Sequence, residues 1–147
     1  MEDINMSDWK TYEQSVDTHL GILQSMIQRM AANSVSAKTW AVGLTTGTLF
    51  LGGNTEVTAV RWIALLPIAS LLVLDIYYLT LEKAIRSKYV EFVQAMTAEE
   101  FDVGLLFNVS PPPFSLKQFA KAAKSPSILI FYVPLIVLCI SISAALK

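Results

Sequence analysis

The stretch VTAVRWIALLPIASLLVLDIYYLTL, residues 57–81, is a run of 25 residues with only two charged side chains, Arg61 and Asp75. An α-helix of about 20 apolar residues spans the hydrocarbon core of a bilayer. We therefore predict that this stretch is a transmembrane helix. The composition agrees, because 54% of the 147 residues are apolar and 16% are charged, and the apolar residues occur in blocks.

Two other segments have the length of a membrane span. Residues 37–53 give 17 residues, the shortest workable crossing, and residues 127–146 give 20. The segment GNTE, residues 53–56, leaves room only for a tight antiparallel hairpin between the first two spans. The sequence predicts an all-α membrane protein with a single domain, residues 1–147, and three transmembrane helices at 37–53, 57–81 and 127–146.

The positive residues predict the orientation of these spans, because cytoplasmic flanks carry an excess of Lys and Arg. Nine of the eleven cationic residues lie on flanks that one orientation brings to the same side: Lys10, Arg29, Lys38, Lys83, Arg86, Lys88, Lys117, Lys121 and Lys124. Only Arg61 and Lys147 lie on the other side. We expect the N-terminus and residues 82–125 in the cytoplasm and the C-terminus outside.

Two long cytoplasmic helices are predicted to continue from the first two spans. Residues 7–36 carry apolar residues at seven-residue intervals, and nothing breaks the helix before the first span. The candidate oligomerisation seam of this helix consists of Trp9, Val16, His19, Leu23 and Met30. Residues 82–96 continue the second span with an apolar stripe at helical spacing, and Glu82 and Arg86 are placed as an i,i+4 ion pair.

Residues 97–125 are predicted to be a cytoplasmic linker with short helices. TAEE at 97–100 is a capping box that begins a helix, and the prolines at 111–113 end it. The segment SLKQFAKAAK, residues 115–124, has lysines on one flank and apolar residues on another. This pattern is typical of a helix that lies along an anionic membrane surface.

The side chains that catalysis or metal binding would need are missing from the sequence. It has one histidine, one cysteine, no Ser-His-Asp set, no glycine-rich phosphate loop and no cluster of metal ligands. We expect no enzymatic activity, no cofactor and no metal. His19 lies on the apolar seam, where it is either a packing residue or part of a pH-sensitive or ligand-facing ring.

Asp75 is an ionisable residue inside the second predicted span. Such residues are costly in a membrane and usually face a protein interior or water. Because Tyr77 and Tyr78 follow it toward the cytoplasmic end, a simple interfacial carboxylate is the other interpretation.

The first span carries small residues on two faces. At about 100° per residue, Gly43 and Gly47 form a G-x-x-x-G pair on one face, and Thr45 and Thr48 lie on the nearly opposite face. One face suffices for close packing on the second span, so the other needs a neighbouring subunit or water. One chain with three spans cannot enclose a pore, which predicts a homo-oligomeric bundle around this span. The candidate pore-lining or helix-packing residues are Gly43, Thr45, Gly47, Thr48 and Asp75.

Three stretches together resemble a known class of small bacterial membrane proteins. They are HLGILQSMIQRMAANSVSAKTWAVGL (residues 19–44), ALLPIASLLVLDIYYLTLEKAIRSKY (64–89) and FYVPLIVL (131–138). This layout is similar to that of the multi-span effectors encoded beside nucleotidyltransferases in anti-phage defence operons. The Hailong-type transmembrane effectors resemble it most, and the SLATT-type effectors are similar in style.

The resemblance implies a tetrameric ion channel in the bacterial inner membrane with a periplasmic C-terminus. Single-stranded oligodeoxyadenylate made by the partner nucleotidyltransferase would hold the channel closed, and loss of this ligand would open it, depolarise the cell and abort infection. The candidate ligand-binding cations, which the positive-inside rule also explains, are Arg29, Lys83, Arg86 and Lys88. The alternative function is a non-conducting membrane anchor or adaptor that recruits a soluble partner enzyme through its cytoplasmic helices.

Overall fold

The computed structural model describes residues 6–53, 62–97 and 115–145, with side chains from residue 13 onward except Thr97. In this part of the chain there are four helices and no strand. The helices are α1 (Met6–Gly53), α2 (Leu65–Thr97), α3 (Leu116–Ala123) and α4 (Pro126–Ala145). The predicted all-α class is confirmed.

The helix α1 is continuous over 48 residues. The prediction that residues 7–36 and 37–53 form one unbroken helix is therefore confirmed. The helix α2 likewise runs through the predicted junction at residues 81 and 82. Its proline, Pro67, lies in the first turn, where backbone N–H groups have no intrahelical acceptor and a proline is tolerated.

Two helices in the described residues are long and apolar enough to cross a membrane. They are Leu65–Met96 of α2, with a mean hydropathy of 1.6, and Pro126–Ala145, which is α4, with a mean hydropathy of 2.6. Only 28% and 22% of their most apolar windows are buried inside the chain. A core helix of a soluble protein would be mostly buried, so the exposed apolar surface of these two helices favours a membrane environment.

In the described residues two helices are apolar enough to span a membrane by themselves, not the three predicted, and the exception is residues 37–53. This segment belongs to α1, which is not apolar enough to count as a membrane span. The physical reason is its composition, since residues 40–53 contain three threonines and four glycines in place of large apolar side chains. The length of residues 37–53 is sufficient for a membrane crossing. Their composition is not apolar enough for a helix that lipid surrounds on all sides.

The other two predicted spans agree with the observed helix bounds to different extents. The predicted helix at 127–146 agrees with α4 to within one residue at each end. The predicted helix at 57–81 corresponds to α2, which begins at Leu65. Residues 54–61, which include most of the predicted tight hairpin, lie outside the described residues, as do residues 98–114 with the capping box and the prolines.

The chain divides into two compact units. Unit one comprises Met1–Arg29 and Leu81–Pro113, and unit two comprises Met30–Thr80 and Phe114–Lys147. The core of unit one holds side chains from α1 and α2, and those buried in it are Val16, His19, Leu23, Ile85 and Phe92. Unit two has a larger apolar cluster that joins all four helices, and its buried members are Ala41, Ala64, Ile68, Ile76, Ala122, Ile128, Tyr132 and Cys139.

Candidate functional site

Asp75 is the centre of a buried polar cluster in unit two. Its exposed fraction is 0%, although α2 is one of the two apolar helices. The Ser34 hydroxyl donates a hydrogen bond to Asp75 Oδ1. The Lys38 ammonium lies 2.6 Å from Asp75 Oδ2 and donates to Ser34 Oγ at 2.9 Å. Three side chains thus form a closed triangle of one cation, one anion and one hydroxyl.

Helix geometry explains why Ser34 and Lys38 act together. They are four residues apart in α1, so their side chains share one face of the helix. Both lie near the beginning of the α1 segment in unit two, and Asp75 lies near the end of the α2 segment. In this unit the two helices therefore run antiparallel, with the cluster joining them.

Tyr132 brings α4 to the same place. Its side chain is buried, and its hydroxyl donates to the Leu71 carbonyl oxygen at 3.2 Å. Leu71 lies one helical turn before Asp75, and the Tyr132 hydroxyl is close enough to interact with the Asp75 carboxylate. The cluster therefore connects α1, α2 and α4 through polar contacts in the interior of unit two.

The buried charge of Asp75 depends on the charge of Lys38 for its stability. A buried carboxylate without a counter-ion is very unfavourable, and removal of one partner from a buried pair typically costs about 3–5 kcal/mol. The Lys38 side chain retains 17% exposure while Asp75 has none, so the lysine provides the link to the surface. The arrangement is that of a structural or switchable ion pair with a hydroxyl hydrogen-bonded to both of its charges.

Asp75 was predicted as a pore-lining or packing residue, with an interfacial carboxylate as the other interpretation. Complete burial against α1 places it in the protein interior. Sequence reasoning missed Ser34 as a partner and treated Lys38 only as a topology signal. A sharper signal was present, because an aspartate inside an apolar helix needs a cation, and Ser34 and Lys38 offer a polar i,i+4 pair.

The two small faces of α1 have different surroundings. A Cβ atom built on Gly43 or Gly47 would meet nothing within 4 Å, so this face is open in the single chain. On the other face Thr45 is buried, and its hydroxyl has no hydrogen-bond partner in the described residues. Thr48 is half-buried and donates to the Leu44 carbonyl at 2.7 Å. The threonine face therefore packs within the chain, and the glycine face is the one left free.

A groove lies between α1 and α4 in unit two. Its volume is about 290 Å³, and its lining is largely apolar. It is lined by Thr45, Thr46, Leu49, Phe50, Leu135, Leu138, Cys139 and Ile142. Together with the contacts of Asp75, the groove shows that the second half of α1 runs alongside both apolar helices.

The candidate oligomerisation seam is mostly buried inside one chain. Val16, His19 and Leu23 are buried in unit one, and the rings of His19 and Phe92 have centroids 4.5 Å apart. His19 Nδ1 has no hydrogen-bond partner within the described part of the chain. Met30 is half-buried, and the Trp9 side chain lies outside the described residues. Packing against α2 accounts for the apolar character of the seam, and a role in oligomerisation stays a prediction.

The four candidate ligand-binding cations differ in exposure and in ion pairing. Arg29 and Lys83 are exposed in unit one. Arg86 forms the predicted i,i+4 ion pair with Glu82, with 2.8 Å between Arg86 Nη2 and Glu82 Oε1. Lys88 is half-buried. In the described residues no group of three or more His, Cys, Asp or Glu side chains could hold a metal ion.

No protein-family model, characterised protein or solved structure matches this chain. The similarity to anti-phage effectors therefore rests on the sequence stretches alone and stays a prediction.

Proposed function

We propose that this protein is a homo-oligomeric membrane effector that forms a ligand-gated ion pore in bacterial anti-phage defence. The observation that carries the proposal is the second half of α1. It packs beside two helices that can span a membrane, yet it is not apolar enough to count as a span by itself. We infer that it crosses the membrane with protein or water against part of its exposed side.

The open glycine face identifies the exposed side. Gly43 and Gly47 have free space above them, and small residues at this spacing let helix backbones approach closely in membranes. A second copy of the chain is a suitable neighbour, because one chain with at most three membrane-crossing helices cannot enclose a pore. Repetition of this contact around an axis would arrange the second halves of α1 from several chains around a central pathway.

The ion pair between Lys38 and Asp75 supports this arrangement. It holds the face of α1 that carries Ser34 and Lys38 against α2, near the beginning of the second half of α1. Because that contact fixes the rotation of α1, the Gly43 face points away from its own chain. The proposed pore therefore depends on a rigid cluster within each subunit.

Exposed cations in unit one suit an anionic ligand. Arg29 and Lys83 are exposed, and single-stranded nucleic acid is bound largely through phosphate contacts with Lys and Arg. The proposed ligand is an oligodeoxyadenylate or another nucleotide made by a partner enzyme, and the ligand-bound state is the closed one.

Decay of a potassium diffusion potential across proteoliposomes tests the proposal. The purified chain should dissipate the potential faster than empty liposomes, and oligodeoxyadenylate should slow this decay. In an Arg29→Gln and Lys83→Gln double variant, the decay should remain fast in the presence of the oligonucleotide, because the phosphates lose their cations. Lys121→Gln, outside unit one, serves as the matched control.

The outcomes separate the two functional classes. An oligomeric protein that leaves the potential unchanged is a non-conducting anchor or adaptor, and the pore proposal is then wrong. If the chain conducts ions and oligodeoxyadenylate does not change the conductance, the pore proposal stands and the proposal of an oligonucleotide ligand is wrong.

A further inference from the structure

The helix α3 and its C-cap residue present three lysines on a single exposed face. Lys117, Lys121 and Lys124 are spaced at i, i+4 and i+7, and all three side chains are exposed. On the opposite side Ala122 is fully buried in the apolar cluster of unit two. The helix is therefore fixed in rotation by its own packing, with its cationic face outward.

An exposed leucine borders the lysine face. Leu116 is 78% exposed, the largest exposure among the large apolar side chains described. At about 100° per residue, it lies between the buried side of α3 and the lysines. Exposed apolar and cationic side chains on adjacent arcs are typical of helices that lie in a membrane interface.

The connection to α4 places this face at the end of a membrane span. The turn at Ser125 is tight, since its N–H donates to the Ala122 carbonyl at 2.9 Å and its carbonyl accepts from the Ile128 N–H at 3.0 Å. The next helix, α4, is the more apolar of the two candidate spans. With α4 in a bilayer, α3 must lie at the depth of the lipid headgroups.

We propose that α3 is a docking helix for the anionic phospholipid surface of the leaflet at the N-terminal end of α4. The phosphates of the headgroups bind Lys117, Lys121 and Lys124, and Leu116 inserts between the upper parts of the acyl chains. A cation close to an anionic membrane surface contributes roughly a 5-fold gain in membrane affinity. The inference needs α4 in the bilayer and does not depend on a conducting pore.

A fluorescent probe on α3 tests this proposal in the full-length chain. Cys139→Ser removes the natural thiol, and Ala120→Cys places an environment-sensitive dye on the exposed side between Leu116 and the lysines. We expect a blue-shifted emission in vesicles of phosphatidylcholine with phosphatidylglycerol, and a smaller shift in phosphatidylcholine alone. Salt should reduce the difference, because it screens the exposed cations.

Two variants identify the groups responsible. Lys117→Gln with Lys121→Gln and Lys124→Gln should abolish the effect of phosphatidylglycerol, while Gln118→Ala, an exposed and uncharged position of α3, should leave it intact. Leu116→Gln should reduce the blue shift and keep its salt dependence. Helix content measured by circular dichroism checks that each variant folds.

The proposal is wrong if the dye emission is the same in the two lipid compositions, or if the triple variant behaves as the parent protein does. Because the readout is the environment of α3, a chain that conducts no ions can still pass the test. Failure of this inference is therefore distinguishable from failure of the pore.

Discussion

At the scale of single residues, Asp75 has the most demanding environment in the described chain. Its carboxylate is fully buried, and its compensation comes from Lys38 and Ser34, which lie about 40 residues away in the sequence. Buried ion pairs contribute little net stability compared with apolar replacements of the same size, but they are costly to break from one side. Such a pair acts chiefly by fixing which faces of the two helices meet.

A double-mutant cycle on Lys38 and Asp75 tests this coupling. Lys38→Met should lower the free energy of unfolding by about 3 kcal/mol, because it leaves an uncompensated buried carboxylate. Adding Asp75→Asn should recover most of the loss, since no buried charge then remains. Denaturant titration of the detergent-solubilised protein, followed by circular dichroism, measures both changes.

Lys83→Met is the control for this cycle, because Lys83 is exposed in unit one. Its effect should be within about 0.5 kcal/mol of zero, as for most surface substitutions. If the losses of Lys38→Met and Asp75→Asn simply add in the double variant, the two side chains are not coupled and the cluster does not fix the helices.

At the scale of elements, the second half of α1 combines a packed threonine face with an open glycine face. Thr45 is buried among neighbours from its own chain, and Gly43 and Gly47 face free space. The angular pattern in the sequence could not rank these faces, because both carry small residues at helical spacing. Their difference comes from the rotation of α1, which the contacts of Lys38 and Asp75 determine.

Gly47→Leu tests the open face of α1. We expect the folded single chain to tolerate leucine, because nothing lies within 4 Å of the added Cβ. The added side chain should prevent close approach of a second helix, so the oligomer mass should fall and the ion flux should drop to the level of empty liposomes. Light scattering in detergent and the potential-decay assay measure these effects.

Gly21→Leu is a matched control, since Gly21 is also in α1 and also has free space around it. It makes the same chemical change in unit one and should leave the oligomer mass and the flux unchanged. An unaltered oligomer in Gly47→Leu would show that subunits meet elsewhere, and the glycine face would then lose its proposed role.

At the scale of the whole molecule, the proposal requires α1 to cross the bilayer with α2 and α4. Single cysteines in a Cys139→Ser background test this topology through their reaction with a membrane-impermeant maleimide. Gly53→Cys, at the end of α1, should react in intact spheroplasts. Gln28→Cys, which replaces an exposed residue in the first half of α1, should react only after the membrane is permeabilised.

Labelling at Lys83→Cys provides the internal reference, because the distribution of cations predicts that this residue is cytoplasmic. If Gln28→Cys reacts in intact spheroplasts while Lys83→Cys does not, α1 stays on one side of the membrane. The proposed pore around α1 would then be wrong, although α2 and α4 could still be spans.

The sequence alone determined the helical class, the continuity of α1 and the bounds of α4, because these depend on local properties. Helix continuity requires only the absence of breaking residues, and an apolar run of 20 residues marks its own ends. The pair of Glu82 and Arg86 was also predictable, since its partners are one turn apart. The sequence predicted three helices apolar enough to span a membrane where the described residues hold two, because the threonines and glycines of residues 40–53 lower the apolarity of a segment that has the length of a span.

Only the tertiary structure decided the partners of Asp75 and the choice between the two faces of α1. Both depend on contacts between helices, and a periodic pattern along one helix does not encode the rotation at which it meets another. The need of a buried carboxylate for a cation was implicit in the sequence, but several lysines could have met it. Packing selected Lys38, since it lies one turn after Ser34 on the face that α2 covers.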